Sequence, residues 1–348
     1  MPEMHNVNSR ELVRTLIARR PAPRCGFWMG NPHPDTLPGY FAHFGVDSLE
    51  GLHRVLGSDF RWISPQLIDS TYRDPSGRGL FDVRSHKKSF AEDGPLAACT
   101  TVSEVNDYDW PRLEYLDFAE CLDTLKGAGD YYRASGFWCP FYHDIMDLFG
   151  AEPFLVGMHE RPEVVHAAFD RVCGFYYQAN EEFFAKAGSL VDGFFFGNDF
   201  GTQRDLMISP AQLEEFVFPW VRKFTAQARR FGYQVILHSC GSIARVIGTL
   251  IDAGVECLHP LQALAGNMGA GELGREFGGR ITFLGGIDTQ ELLVRGTPED
   301  VKADVRRVRS LLGPHLIISP SHEALLPNVP PENVAAMAEE ATGAPIRR

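Results

Sequence analysis

The sequence predicts an α/β chain of the (β/α)8 barrel class, a TIM barrel. Three observations lead there. Eight short runs of near-continuous apolar residues recur along 348 residues. Helical segments with clear start and stop signals separate the later runs. No G-x-G-x-x-G follows an early apolar run, as a doubly wound dinucleotide-binding sheet would require. Alternating strands and helices in that number close most simply into one barrel, whose parallel strands are covered by helices and therefore apolar throughout.

In chain order the runs are CGFWMG (25–30), DFRWIS (59–64), SGFWCPF (135–141) and DGFFFG (192–197). YQVILHSC (233–240), VECLHPL (255–261), RITFLGGID (280–288) and HLIISPSH (315–322) follow. Of the helices, the one starting at Ser209 has the plainest signals: Ser209 as N-cap, Pro210 in the first turn, Gln212 completing a capping box, and Gly232 at its end. Pro219 within it predicts a kink. A second opens on Thr297 and Pro298 and stops at Gly313, and a third, longer one runs through residues 160–188. The whole chain, 1–348, reads as a single barrel domain. It has an N-terminal helical extension and an irregular insertion at about 65–130, expected as a pair of hairpins.

Composition narrows the function. A formal net charge of −12 disfavours nucleic acid, whose phosphates would be repelled. No window approaches the roughly 20 apolar residues that span a bilayer, and the N-terminus lacks a secretory pattern. The seven cysteines are odd in number and scattered. They fit reduced thiols and a cytoplasmic protein rather than a disulfide framework.

Catalytic groups of a barrel collect where its strands end. Reading those ends gives Asn31 and His33, His143, Asn198 and Asp199, His238 and Cys240, His259, Asp288, and His322 with Glu323. Within LHSCGSI, His238 and Cys240 are two apart and project from one face of a strand. Imidazole and thiolate together suit zinc rather than magnesium or calcium. The pair taken alone favours a buried thiol beside a hydrogen-bonded histidine.

Asp199 and Gln203 read equally as substrate or metal-orienting residues and as turn or helix caps. His33 lies in NPHPD, which also reads as a rigid turn, and the aromatics before His143 read best as packing. Asp288 caps the following helix or touches substrate. Gly285 and Gly286 allow close approach of a ligand or a neighbouring backbone.

Longer stretches carry a family resemblance. GNDFGTQRDLMISPAQLEEFVFPW, ILHSCGSI, GVECLHPLQ, RITFLGGIDTQELLVRGTPEDV and PNVPPENVAAM, in that order from about residue 190 to the end, resemble the uroporphyrinogen decarboxylase family. The likeness is to its branch of zinc-dependent, corrinoid-linked methyltransferases. It implies a (β/α)8 barrel, often a homodimer, in which His238 and Cys240 bind zinc. A methyl group would pass between a small methylated molecule and a corrinoid (cobalamin) on a partner protein, since this chain has no cobalamin-binding D-x-H-x-x-G.

Two departures matter. The decarboxylase's arginine-bearing N-terminal segment is here MGNPHPDTLPGYF, without arginine, which removes cations for a polycarboxylate substrate. The branch's third zinc ligand, a cysteine in a GCG-like turn, is here within SPSHEALLPNVPPEN, so His322 becomes the expected third ligand, with Glu323 adjacent. A His/Cys/His site carries more positive charge than a His/Cys/Cys site, which favours polarising an ether oxygen and so a demethylase.

The expected assignment is therefore His238, Cys240 and His322 on the metal, and Asp199 and His322 as catalytic residues. Asn31, His33, Asn198, Gln203, His143, His259 and Asp288 would contact substrate. The competing expectations are a metal-free lyase for a carboxylated substrate and a non-catalytic binding barrel.

Overall fold

Eight parallel strands form the centre of the molecule: β1 (Gly26–Phe27), β2 (Phe60–Trp62), β3 (Tyr132–Ser135), β4 (Gly193–Gly197), β5 (Gln234–His238), β6 (Cys257–His259), β7 (Thr282–Ile287) and β8 (Leu316–Pro320). The computed structural model describes residues 8–81 and 92–346. Their spatial order is β1-β8-β7-β6-β5-β4-β3-β2, with a parallel ladder at every step. The β1–β2 seam is fastened differently. The Asp59 amide donates to the Phe27 carbonyl at 2.8 Å, and the Asp59 carboxylate accepts from the Phe27 amide at 3.0 Å. The same buried carboxylate binds both arms of Arg24 and the hydroxyl of Ser9. One side chain thus ties the seam to the N-terminal helix Ser9–Ile17. The result is the predicted (β/α)8 barrel.

Strand register sets the interior in layers. Phe195 on β4 stands beside Ile236 on β5, and Ile236 beside Cys257 on β6. With Phe60, Tyr132, Leu284 and Ile317 they fill the barrel, and Leu12, Val13, Leu16 and Ile17 of the first helix close its N-terminal end. Two residues further along each strand the same inward face carries Gly197, His238 and His259 in register. The apolar filling therefore gives way to polar groups at the C-terminal mouth.

The predicted caps hold: Ser209 with Gln212 and Thr297 with Asp300 form capping boxes, and Pro162–Ala187 is a 26-residue helix. Pro219 has no N–H to donate, and the chain accommodates it through a π-helical turn, Leu213–Val217, ahead of the helix Phe218–Arg230.

Two expectations need correction. The third strand is Tyr132–Ser135, ahead of the apolar run at 135–141. It carries a buried Arg133, which lies 3.7 Å from the fully buried Asp192 carboxylate, so a charged residue disguises an interior strand. The apolar run instead forms the turn over the mouth. No hairpin pair occurs among the described residues of the insertion, only an isolated bridge between Tyr72 and Leu116. Residues 82–91 of that stretch lie outside the described residues.

Candidate metal centre

His238 ends β5 pointing inward, and Cys240 follows on the same side. The Cys240 sulfur lies 3.3 Å from Nε2 of His238. Asp199, just past β4, approaches the same nitrogen at 3.2 Å and accepts the Cys240 amide at 2.8 Å. Ligand atoms of Asp199, His238 and Cys240 all lie within 4.8 Å of one another, as do those of His238, His259 and Glu323.

The two groups share the His238 ring, whose other nitrogen faces the opposite way. Nδ1 is 2.9 Å from Nδ1 of His259 and 3.5 Å from Oε2 of Glu323. His322 joins from the β8 loop. Its ring stands edge-on to that of His238 at 6.2 Å, and its Nδ1 is 3.6 Å from the same Glu323 oxygen.

Several close packings hold these groups in place. Gly197 has no side chain because the Trp138 indole occupies that space; an added Cβ would meet it at 2.1 Å. Trp138 in turn packs edge-to-face on His238 at 5.0 Å. Gly30, at φ +84°, brings its backbone against the Glu323 carbonyl, which accepts the Asn31 amide at 2.7 Å. The Ser239 hydroxyl, pointing away from the cluster, accepts the Phe200 amide at 3.0 Å.

The cluster's proton affinities follow from crowding. Burial disfavours a charged His238, yet Glu323, Cys240 and Asp199 together raise its pKa well above 6.5. Burial opposes ionisation of Asp199, but its hydrogen bond and attraction to His238 bring its pKa below the usual carboxylate range. Burial, then repulsion from His238 and His322, pushes His259 well below 6.5, so it stays neutral. The hydrogen bond to the Cys240 sulfur raises His322, against the opposing effect of burial. Because a metal takes deprotonated donors, occupation of this cluster would release protons.

The other expected residues divide. Gln203 is exposed and donates to Gln262 at 2.9 Å. His143 is half-buried, and its charge contributes to the lowered pKa of Asp199. Asn31 and His33 are exposed on a loop that pairs through backbone bonds with residues 323 and 325.

Three expected substrate contacts are corrected. His259, level with His238 on the next strand, is completely buried because the rings of Trp28, Phe195 and His238 close around it. Asn198 is buried, with its amide bonded to the Tyr142 amide and the Cys139 carbonyl. Asp288 caps the following turn through the amides of Gln290, Glu291 and Leu292. Gly285 and Gly286 serve a neighbour rather than a ligand, since a Cβ on Gly285 would fall 1.7 Å from the Pro260 carbonyl.

Sequence reasoning did not single out Trp138, which reads as one aromatic among many. The glycine closing DGFFFG was the only available hint. Glu323 was legible at the end of the eighth strand as the alternative to His322 for the third ligand, but its place behind His238 was not.

A (β/α)8 barrel with imidazole, thiol and carboxylate groups converging at its C-terminal mouth has the layout of a barrel enzyme site. Residues 146–343 match the family model described as uroporphyrinogen decarboxylase (URO-D), and the chain belongs to that family. Its fold is similar to that of a methyltransferase from Methanosarcina mazei, with a TM-score of 0.67 and 15% sequence identity over 97% of this chain and 99% of that one. No curated protein matches it in sequence. Among the described residues no helix is long and apolar enough to cross a membrane.

Proposed function

We propose that this chain is a zinc-dependent methyltransferase. It would move a methyl group between a small methylated molecule, a methyl ether or similar, and a corrinoid on a separate protein. The observation that carries the reading is the pairing of the Cys240 sulfur with Nε2 of His238 at the barrel mouth. The fold shared with a methyltransferase supports it.

The donor set fits zinc in chemistry and in arrangement. Sulfur and imidazole nitrogen are its preferred ligands. Ligating histidines usually engage their second nitrogen with a carboxylate or another acceptor. Nδ1 of His238 faces both His259 and Glu323, away from the sulfur. Glu323 therefore sits behind His238 rather than beside Cys240. On the Cys240 side stand Asp199, whose carboxylate groups with His238 and Cys240, and His322, which lies outside that group and is taken here as the third ligand expected from the sequence.

His322 must change tautomer to serve. Its Nδ1 now accepts the Ala324 amide at 3.1 Å, so Nε2 keeps its proton and is the nitrogen left for the hydrogen bond to Cys240. Ligation through Nε2 requires a proton on Nδ1, which would give up the Ala324 amide and turn its N–H toward Glu323 Oε2, 3.6 Å away. Asp199 orients Cys240 through its amide and approaches the same nitrogen of His238. It would hold or accept a proton beside the reacting group. When bound, zinc supplies Lewis acidity toward a substrate oxygen. The corrinoid partner would dock over the open mouth.

Metal analysis of protein from zinc-replete cells, followed by methyl transfer from a methyl ether to added cob(I)alamin, tests this. About one zinc per chain is expected, with loss of zinc and of transfer in folded His238→Ala and Cys240→Ala. Metal-free native protein would overturn the reading.

A further inference from the structure

Beside His322 lies a cleft of about 350 Å³ between the loops that follow β6, β7 and β8. His322 lines it, and that ring, edge-on to His238, joins the cleft to the cluster. Its polar lining is uncharged apart from that ring: the carboxamides of Gln262, Gln290 and Asn328, and the hydroxyls of Thr289 and Ser321. Leu326, half-exposed, gives it an apolar edge. Neither lysine nor arginine lines it.

We propose that this cleft is the substrate subsite and that it takes a small neutral molecule bearing hydroxyl, ether or amide oxygens. The assignment rests on the methyltransferase reading and adds the substrate class. Charge decides first. An anion there would find no lysine or arginine and, with His322 on the metal, no cationic side chain among the lining residues, while Glu323 stands behind the His322 ring, so its charge would be poorly compensated. A cation would find neither a carboxylate nor an aromatic face among the lining residues.

Size decides next. The volume is at the low end of ligand pockets, roughly 300–1,000 Å³, too small for a tetrapyrrole. The fixed partners set the polarity. Oε1 of Gln262 accepts from Gln203 and from the Gly241 amide, which ties this wall to the Cys240 loop. Ser321 accepts the Thr289 amide at 3.1 Å. The exposed carboxamides of Gln290 and Asn328 offer both donors and acceptors to a neutral partner.

Two methyl ethers of nearly equal size, 2-methoxyethanol and methoxyacetate, test the assignment by saturation-transfer NMR on the full chain, with zinc content measured separately. The expected result is retention of 2-methoxyethanol at least about tenfold tighter. Gln290→Arg and, independently, Asn328→Lys should tighten methoxyacetate by about tenfold by adding a cation. The assignment is overturned if native protein holds methoxyacetate as tightly, if neither ether binds, or if both variants leave the preference unchanged. Neutral preference without zinc or methyl transfer would defeat the functional reading and leave the cleft assignment standing. Zinc-dependent demethylation of methoxyacetate in preference to 2-methoxyethanol would do the reverse.

Discussion

Oε2 of Glu323 lies 3.5 Å from Nδ1 of His238, and this buried oxygen has no hydrogen-bond partner among the described residues. The same oxygen is 3.6 Å from Nδ1 of His322. One carboxylate oxygen thus faces the rear nitrogens of both histidines proposed to hold the metal.

That position predicts different consequences for neighbouring residues. His322→Ala, like Cys240→Ala, should abolish zinc retention. Glu323→Gln should keep the ion but weaken its binding by about 10- to 100-fold, the usual effect of losing a partner behind a ligand. Competition with a chromogenic chelator reads both. A Glu323→Gln protein as empty as Cys240→Ala would make Glu323 a ligand instead.

Alkylation should separate the thiols. Cys25, Cys121, Cys139, Cys173 and Cys257 are buried, whereas Cys99 and Cys240 are partly accessible. Iodoacetamide on the folded metal-free protein is expected to label Cys99 and Cys240. Added zinc should protect Cys240 alone, since Cys99 has no place in the cluster. Peptide mass spectrometry gives the answer, and undiminished labelling of Cys240 at saturating zinc would count against it as a ligand.

Two glycine-to-alanine changes should have opposite signs. Gly285→Ala puts a Cβ into the Pro260 carbonyl at φ +131°, with an expected loss of about 2–4 kcal/mol. Gly248, within the helix Ala244–Asp252, has open space at its Cβ position. Gly248→Ala should therefore raise stability by about 0.5–1 kcal/mol through helix propensity. Urea unfolding of the two variants checks both signs.

His53 predicts acid sensitivity unconnected with the metal. Burial, aided by the Arg61 charge, pushes its pKa from 6.5 down to about 3. Between those values the unfolded chain binds a proton that the folded chain does not. Stability is thus fully present above pH 6.5 and falls as pH drops, by up to about 1.4 kcal/mol per unit. From pH 7.5 to 5.5 the native protein should lose about 1 kcal/mol more than His53→Leu, measured by urea unfolding. Equal losses in the two proteins would show that His53 does not titrate as described.

By itself, the sequence determined the barrel, most of its strands, and the helix starts at Ser209 and Thr297. It also determined that His238 and Cys240 share one face. Each of these depends on local periodicity or on hydrogen bonds between near neighbours in the chain.

Tertiary structure decided the rest. The third strand was read at 135–141 because Arg133 breaks the apolar run ahead of it, and the Asp192 carboxylate that lets Arg133 be buried lies on another segment. His259 read as a substrate contact, but the rings of Trp28, Phe195 and His238, all from other segments, cover it completely. Trp138 has a role only because Gly197, distant in sequence, leaves room for its ring. Glu323 acts behind His238 only because the β8 loop folds against the backbone at Gly30 and Asn31. A strand's period specifies which side chains point inward, but long-range packing specifies which of them meet.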